Sequence, residues 1–150
     1  MPTVTPFLWF NGRVAEAVDF YTSVFGDSAV IESSPGPDGD FMMARFQLAG
    51  QELIAFNGGQ HFAFTPAISL FVSVEGQDEL DYYWNALLEG GEPSQCGWLV
   101  DKFGLSWQVI PTTLGRLIGH ADQMRAAQAT QAMLAMTKID VAALQAAFDA

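Results

Sequence analysis

The stretch TPFLWFNGRVAEAVDFYTSVF, residues 5–25, has a counterpart that begins TPAISLFVSV at Thr65. Each opens on Thr-Pro and runs through an extended apolar segment. Each then passes a polar turn and enters an amphipathic helix. The first helix is expected over about 14–25, where Val14, Ala17, Val18, Tyr21, Val24 and Phe25 recur at i, i+3, i+4, i+7 spacing. Gly26 follows as a stop signal. The second is expected over about 77–88, with Leu80, Tyr83, Trp84, Leu87 and Leu88 as its stripe and Gly90-Gly91 beyond it. VDFY at 18–21 is echoed by LDYY at 80–83.

Strand patterns follow each helix. In the first half they are AVIES (29–33), FMMARFQL (41–48) and QELIAF (51–56), the last two joined at Ala49-Gly50. In the second half they are EPSQC (92–96), GWLVDKF (97–103) and LSWQVIP (105–111), with Gly104 at the matching turn. Alternation in FMMARFQL puts Met42, Ala44, Phe46 and Leu48 on the expected core face. Each half therefore reads strand, helix, three strands. Neither half looks able to bury its sheet alone, so the two are expected to pack as one domain over 1–112, with modules at about 1–58 and 64–112. SSPGPDGD (33–40) is a loop and NGGQHFAFTP (57–66) the linker. A helical extension is expected over 113–150, with Asp122 capping a helix to about Met136 and Asp140 capping another that carries Val141, Leu144 and Phe148.

Composition narrows the functional classes. Half of the 150 residues are apolar, enough for a real core. The net charge of −11 comes without any Lys/Arg cluster. Nucleic acid and anionic membrane surfaces are poor partners for such a chain. A single cysteine excludes an intrachain disulfide. MPTVTPFLWF has no charged, apolar leader pattern, and no apolar run approaches the ~20 residues of a membrane span. A cytoplasmic protein is expected.

TPFLWFNG with AEAVDFYTSVF, then TPAISLFV, CGWLVDKFGLSWQVIP and QAMLAMTKID, together resemble the PhnB-like or "3-demethylubiquinone-9 3-methyltransferase" domain family. That family sits in the vicinal oxygen chelate superfamily with glyoxalase I, bleomycin-resistance proteins and extradiol dioxygenases. The resemblance implies an α+β fold of two paired βαβββ modules enclosing a cavity, and a homodimer. In metal-dependent members, ligands come from the first and last strands of each module. The matching positions here hold Thr5 or Pro6, Ala55, Ala67 or Ser69, and Gln108. One Gln does not make a transition-metal site, which needs about three N or O donors and an open position. His61 and His120 have no H-x-x-x-H spacing. The expectation is no metal and no cofactor.

Trp9, Trp98 and Trp107 fit either stacking on a planar ligand or packing in the core. Asn57 and Gln108 are the polar cavity candidates, with a solvated or backbone-bonded amide as the other reading. Cys96 has neutral neighbours and reads as a small hydrophobe. Asp101 is expected to bond its own hairpin backbone. The reading is a ligand-binding protein of unknown substrate, with no catalytic residue assigned. An enzyme, including the methyltransferase of the family label, and a dimeric scaffold without ligand are the alternatives.

Overall fold

The computed structural model describes residues 1–150 and divides into two compact units, Met1–Phe64 and Thr65–Ala150. The first runs β1 (Phe7–Phe10), α1 (Val14–Val24), β2 (Ser28–Pro35), a 3-10 turn (Pro37–Gly39), β3 (Phe41–Leu48) and β4 (Gln51–Asn57). The second runs β5 (Ser69–Val74), α2 (Gly76–Leu88), β6 (Glu92–Pro93), β7 (Trp98–Val100), β8 (Ser106–Pro111), α3 (Thr112–Ile118), α4 (Gln123–Leu134) and α5 (Val141–Asp149). Sheet orders are β1-β4-β3-β2 and β5-β8-β7-β6. In each unit the first strand lies parallel to the last and the other pairs are antiparallel. The βαβββ repeat expected from the sequence is present twice, as an α+β fold.

In the first unit, α1 buries Val14, Ala17, Val18, Tyr21 and Val24. Its Tyr21 ring stacks on Phe46 of β3 at 6.4 Å between centroids. Leu8, Phe10, Ala44, Phe46, Leu48, Leu53 and Ala55 complete this core face of the sheet. Met42, expected on it, is 38% exposed. The pairing of β2 with β3 passes from Ser34↔Met43 to Pro35↔Phe41, so Met42 is the extra residue of a bulge and leaves the alternation.

In the second unit, Leu80, Trp84 and Leu87 of α2 are buried, with Val74, Leu99, Leu105, Trp107 and Val109. The strands are shorter than expected. Cys96 (φ 59°) and Gly97 (φ 86°) form a tight turn closed by Trp98 N–H donating to Gln95 O at 3.1 Å, which trims both strands beside it. Asp101 bends the chain again before β8. Its Oδ1 accepts from Phe103 N at 2.8 Å and Leu105 N at 3.1 Å, as expected for a self-bonded hairpin.

The helical extension folds on its own unit. Asp122 caps α4 through Arg125 N at 3.3 Å, and Asp140 caps α5 through Ala143 N at 3.0 Å. The intervening segment is held at several points. Met136 O and Thr137 O accept from Cys96 N and Gly97 N, each at 2.8 Å. Gln77 donates to Ile139 O at 3.1 Å and accepts from Val141 N at 2.8 Å. Lys138 meets Asp81 at 2.5 Å. Ile139 and Leu144 are fully buried, and Phe148 is 6% exposed. No helix is long and apolar enough to cross a membrane.

Candidate functional site

Alternation along β1 and β4 leaves one face of the first sheet away from α1. Register brings Trp9, Phe56, Met43 and Ser34 into one row across it, and Phe7, Ile54, Arg45 and Glu32 into the next. The rings form a continuous cluster. Phe7 and Phe56 are 5.4 Å apart, Trp9 and Phe56 5.3 Å, and Trp9 and Phe62 5.0 Å between centroids. The last two are edge-to-face, the arrangement that the ring quadrupole favours. Phe7 is 52% and Phe62 66% exposed, so the cluster is an open apolar surface.

Trp9 is locked within this cluster. Its indole N–H donates to Gly59 O at 2.9 Å. The Gly58 backbone lies so close to the ring that a Cβ there would fall 2.2 Å from Cε2. Gly58 is fixed in turn by its N–H donating to Phe10 O at 2.9 Å. Beside the aromatic rows is a cavity of about 250 Å³ lined by Glu32, Ser33, Ser34, Met43, Arg45 and Ile54. Arg45 lies 3.6 Å from Glu32 and 4.0 Å from Glu52. These are long, exposed pairs, weak enough for a ligand to displace.

Asn57 ends β4 and ties the sheet to the start of α1. Its Oδ1 accepts from Gly12 N at 3.0 Å, and its Nδ2 donates to Asp40 Oδ2 at 3.3 Å. Arg13, at the N-cap position of α1, is left-handed (φ 58°) and makes no side-chain cap. Asp40 replaces it from across the fold, accepting from Ala15 N at 2.8 Å and Val14 N at 3.2 Å. Desolvation pushes the Asp40 carboxyl up, but backbone donors at Ala15, Phe41, Val14 and Arg13 outweigh it, and the group stays below its ordinary range.

The carboxylate's contribution is full above the ordinary aspartate value of 3.8 and is lost as pH falls through the lower native value. Asp40→Ala is expected to cost about 1–2 kcal/mol at neutral pH, the cost of losing an N-cap. Thermal melts of both proteins check this: the gap in Tm should close as pH falls below 3.8 and through the lower native value. A gap independent of pH would mean Asp40 acts only by packing.

In the second unit, Phe71, Gln108 and Trp98 form one row across β5, β8 and β7. Gln108 donates to Ser69 Oγ at 2.9 Å. Trp107 lies on the opposite face of β8, 2% exposed, and its indole N–H donates to Asp101 Oδ2 at 2.8 Å. Cys96 is half-buried on its turn. The sequence candidates thus fall on two sheets: Trp9 and Asn57 on one, and Trp98, Trp107 and Gln108 on the other. Sequence reasoning missed Phe7, Phe56 and Phe62. Their only signal was alternation in PFLWF and ELIAFN, which carries no register.

The model of the 3-demethylubiquinone-9 3-methyltransferase family matches residues 2–110. A PhnB protein from Bacillus cereus is 33% identical and superposes with a TM-score of 0.69, covering 74% of this chain and 100% of that one. Protein PA1353 from Pseudomonas aeruginosa is 24% identical, with 74% and 98% of the two chains covered and a TM-score of 0.60. FosX from Listeria monocytogenes, solved with Mn(II) and sulfate, is 15% identical, with 71% and 88% covered and a TM-score of 0.53. The last two show likeness of fold alone. No curated protein matches the chain. No group of three or more His, Cys, Asp or Glu side chains is placed to hold a metal ion. The match over residues 2–110, together with the PhnB likeness, establishes that the chain belongs to the 3-demethylubiquinone-9 3-methyltransferase-like, or PhnB-like, family.

Proposed function

We propose that the chain is a metal-independent PhnB-like protein that binds a small planar organic molecule on the open aromatic face of its first sheet, and that it works as a homodimer. One observation carries the binding reading. Phe7, Trp9, Phe56 and Phe62 form a contiguous ring cluster whose central indole is immobilised by Gly58 and Gly59. A preorganised aromatic surface binds planar molecules because little side-chain freedom remains to be lost. Trp98 and Gln108 offer a smaller surface of the same kind on the second sheet. The motive for a dimer is exposed apolar area: Phe7, Phe62, Ile68 and Phe71 are all more than half exposed, at 52, 66, 71 and 60%.

The methyl transfer named in the family description is the competing reading. Donors of the S-adenosylmethionine type are usually held on a doubly wound parallel sheet, and the sheets here are of a different kind. A dimeric scaffold without ligand is the third. Native mass spectrometry of freshly purified protein is the first test, followed by fluorescence titration with quinoline as a neutral planar probe. The expected result is a dimer mass and saturable quenching. Trp9→Leu should weaken binding about tenfold, the equivalent of one ring contact of about 1.4 kcal/mol. Quenching unchanged in both Trp9→Leu and Phe56→Leu overturns the binding reading. A bare monomer overturns the dimer, and turnover of a methyl donor moves the transferase to the front.

A further inference from the structure

The extension beyond Pro111 walls a groove against α2. It lies outside the residues 2–110 matched by the family model, and the Bacillus cereus PhnB protein is fully covered by 74% of this chain. The groove has a volume of about 760 Å³ and lies where α3 and the start of α5 face α2. That is within the range of small-molecule sites.

Its lining is chemically specific. Six Lys and Arg serve the whole chain. Five are engaged: Arg13 with Glu16, Arg45 with Glu32, Lys102 over the Phe103 ring, Arg125 with Asp122 and Lys138 with Asp81. Arg116 makes no ion pair, hydrogen bond or ring contact, and it lines the groove. Thr113 sits one turn before it on α3, so the hydroxyl and guanidinium share a face. A free guanidinium and a neighbouring hydroxyl are donors matched to a carboxylate. The facing wall supplies Val141 and Ala142 as short apolar surface.

Charge sets the valence. Lys138 is already neutralised by Asp81, and Asp140 adds a carboxylate to the same lining. The lining sums to zero, Arg116 and Lys138 against Asp81 and Asp140, so a single negative charge is the most that the unpaired Arg116 can meet. A phosphate-like dianion would face Asp140 and a chain of net charge −11 with nothing further to offset it. From this lining we infer that the extension carries a second binding site, for a small aliphatic monocarboxylate held by Arg116 and Thr113.

The test is calorimetric titration of the full-length protein with hexanoate, with hexanol and inorganic phosphate titrated separately. Hexanoate should saturate, and hexanol and phosphate should not. Arg116→Gln should weaken hexanoate at least tenfold with an unchanged melting profile, since the side chain is exposed. Thr113→Val should weaken it less, and Trp9→Leu should leave it unaltered. No saturation with hexanoate, equal affinity in Arg116→Gln, equal affinity for hexanol, or tighter binding of phosphate overturns the proposal. Loss of hexanoate binding in Trp9→Leu would place the acid on the aromatic sheet instead, and also overturns it.

Discussion

Asp101→Ala lowers stability by about 3–5 kcal/mol, the largest loss expected from any single side chain discussed above. The carboxylate is 3% exposed and accepts three hydrogen bonds, from Phe103 N, Leu105 N and Trp107 Nε1. Alanine leaves two of these donors buried without a partner, at about 1–3 kcal/mol each. The third, at Phe103, is only part-buried and returns to water. Urea unfolding should show a lower midpoint with an unchanged slope. Asp101→Asn keeps one acceptor and turns an N–H toward the other donors, so it should fall between wild type and alanine. It also serves as the gauge if the alanine variant does not fold. A midpoint unchanged in both variants would mean the hairpin holds without this carboxylate.

The second large effect is on binding. Gly58→Ala places a methyl 2.2 Å from Trp9 Cε2 and 2.4 Å from Cζ2, well inside contact distance. The indole is rigid and anchored to Gly59 O, so it must swing out of its rotamer and give up that bond. Overpacking of this kind costs about 1–3 kcal/mol. The larger consequence is at the open face, where Trp9 loses its edge contacts with Phe56 and Phe62. Quinoline binding should weaken at least tenfold, as much as in Trp9→Leu. Gly26→Ala is the matched control, because a Cβ there meets nothing within 4 Å and the backbone is not left-handed. It should leave melting and binding alone. Equal binding in wild type and Gly58→Ala would mean the ring's position does not matter to the ligand.

The parts of the fold that were legible in the sequence are those with local causes. Both module helices follow from apolar spacing, and both observed caps of the extension, Asp122 and Asp140, from residue type before an amphipathic run. α3 was not legible. It has seven residues with Gly115 among them, and its stripe is Leu114 and Leu117 alone. The second module's strands were read too long because a Cys at φ 59° gives no turn signal of its own. Met42 was misplaced because a bulge depends on the partner strand. The same reason hid most of the aromatic face. Trp9 stood out as a residue, but Phe56 becomes its neighbour only through the parallel register of β1 and β4. Asp40 as the cap of α1 is likewise a contact between distant segments.

That pairing also shapes how the chain is made. β1 has one sheet partner, β4, and Phe7 meets Ile54. Closing a loop of roughly 45 residues costs about 3 kcal/mol of chain entropy before any contact offsets it. At about 5–20 residues per second, the segment Phe7–Phe10 therefore leaves the ribosome several seconds before its partner strand exists. During that interval FLWF is an unpaired aromatic segment, with Pro6 before it and Arg13 three residues beyond. Yield in the cell should thus depend on how fast the stretch from Phe7 to Asn57 is translated and on what shields it meanwhile.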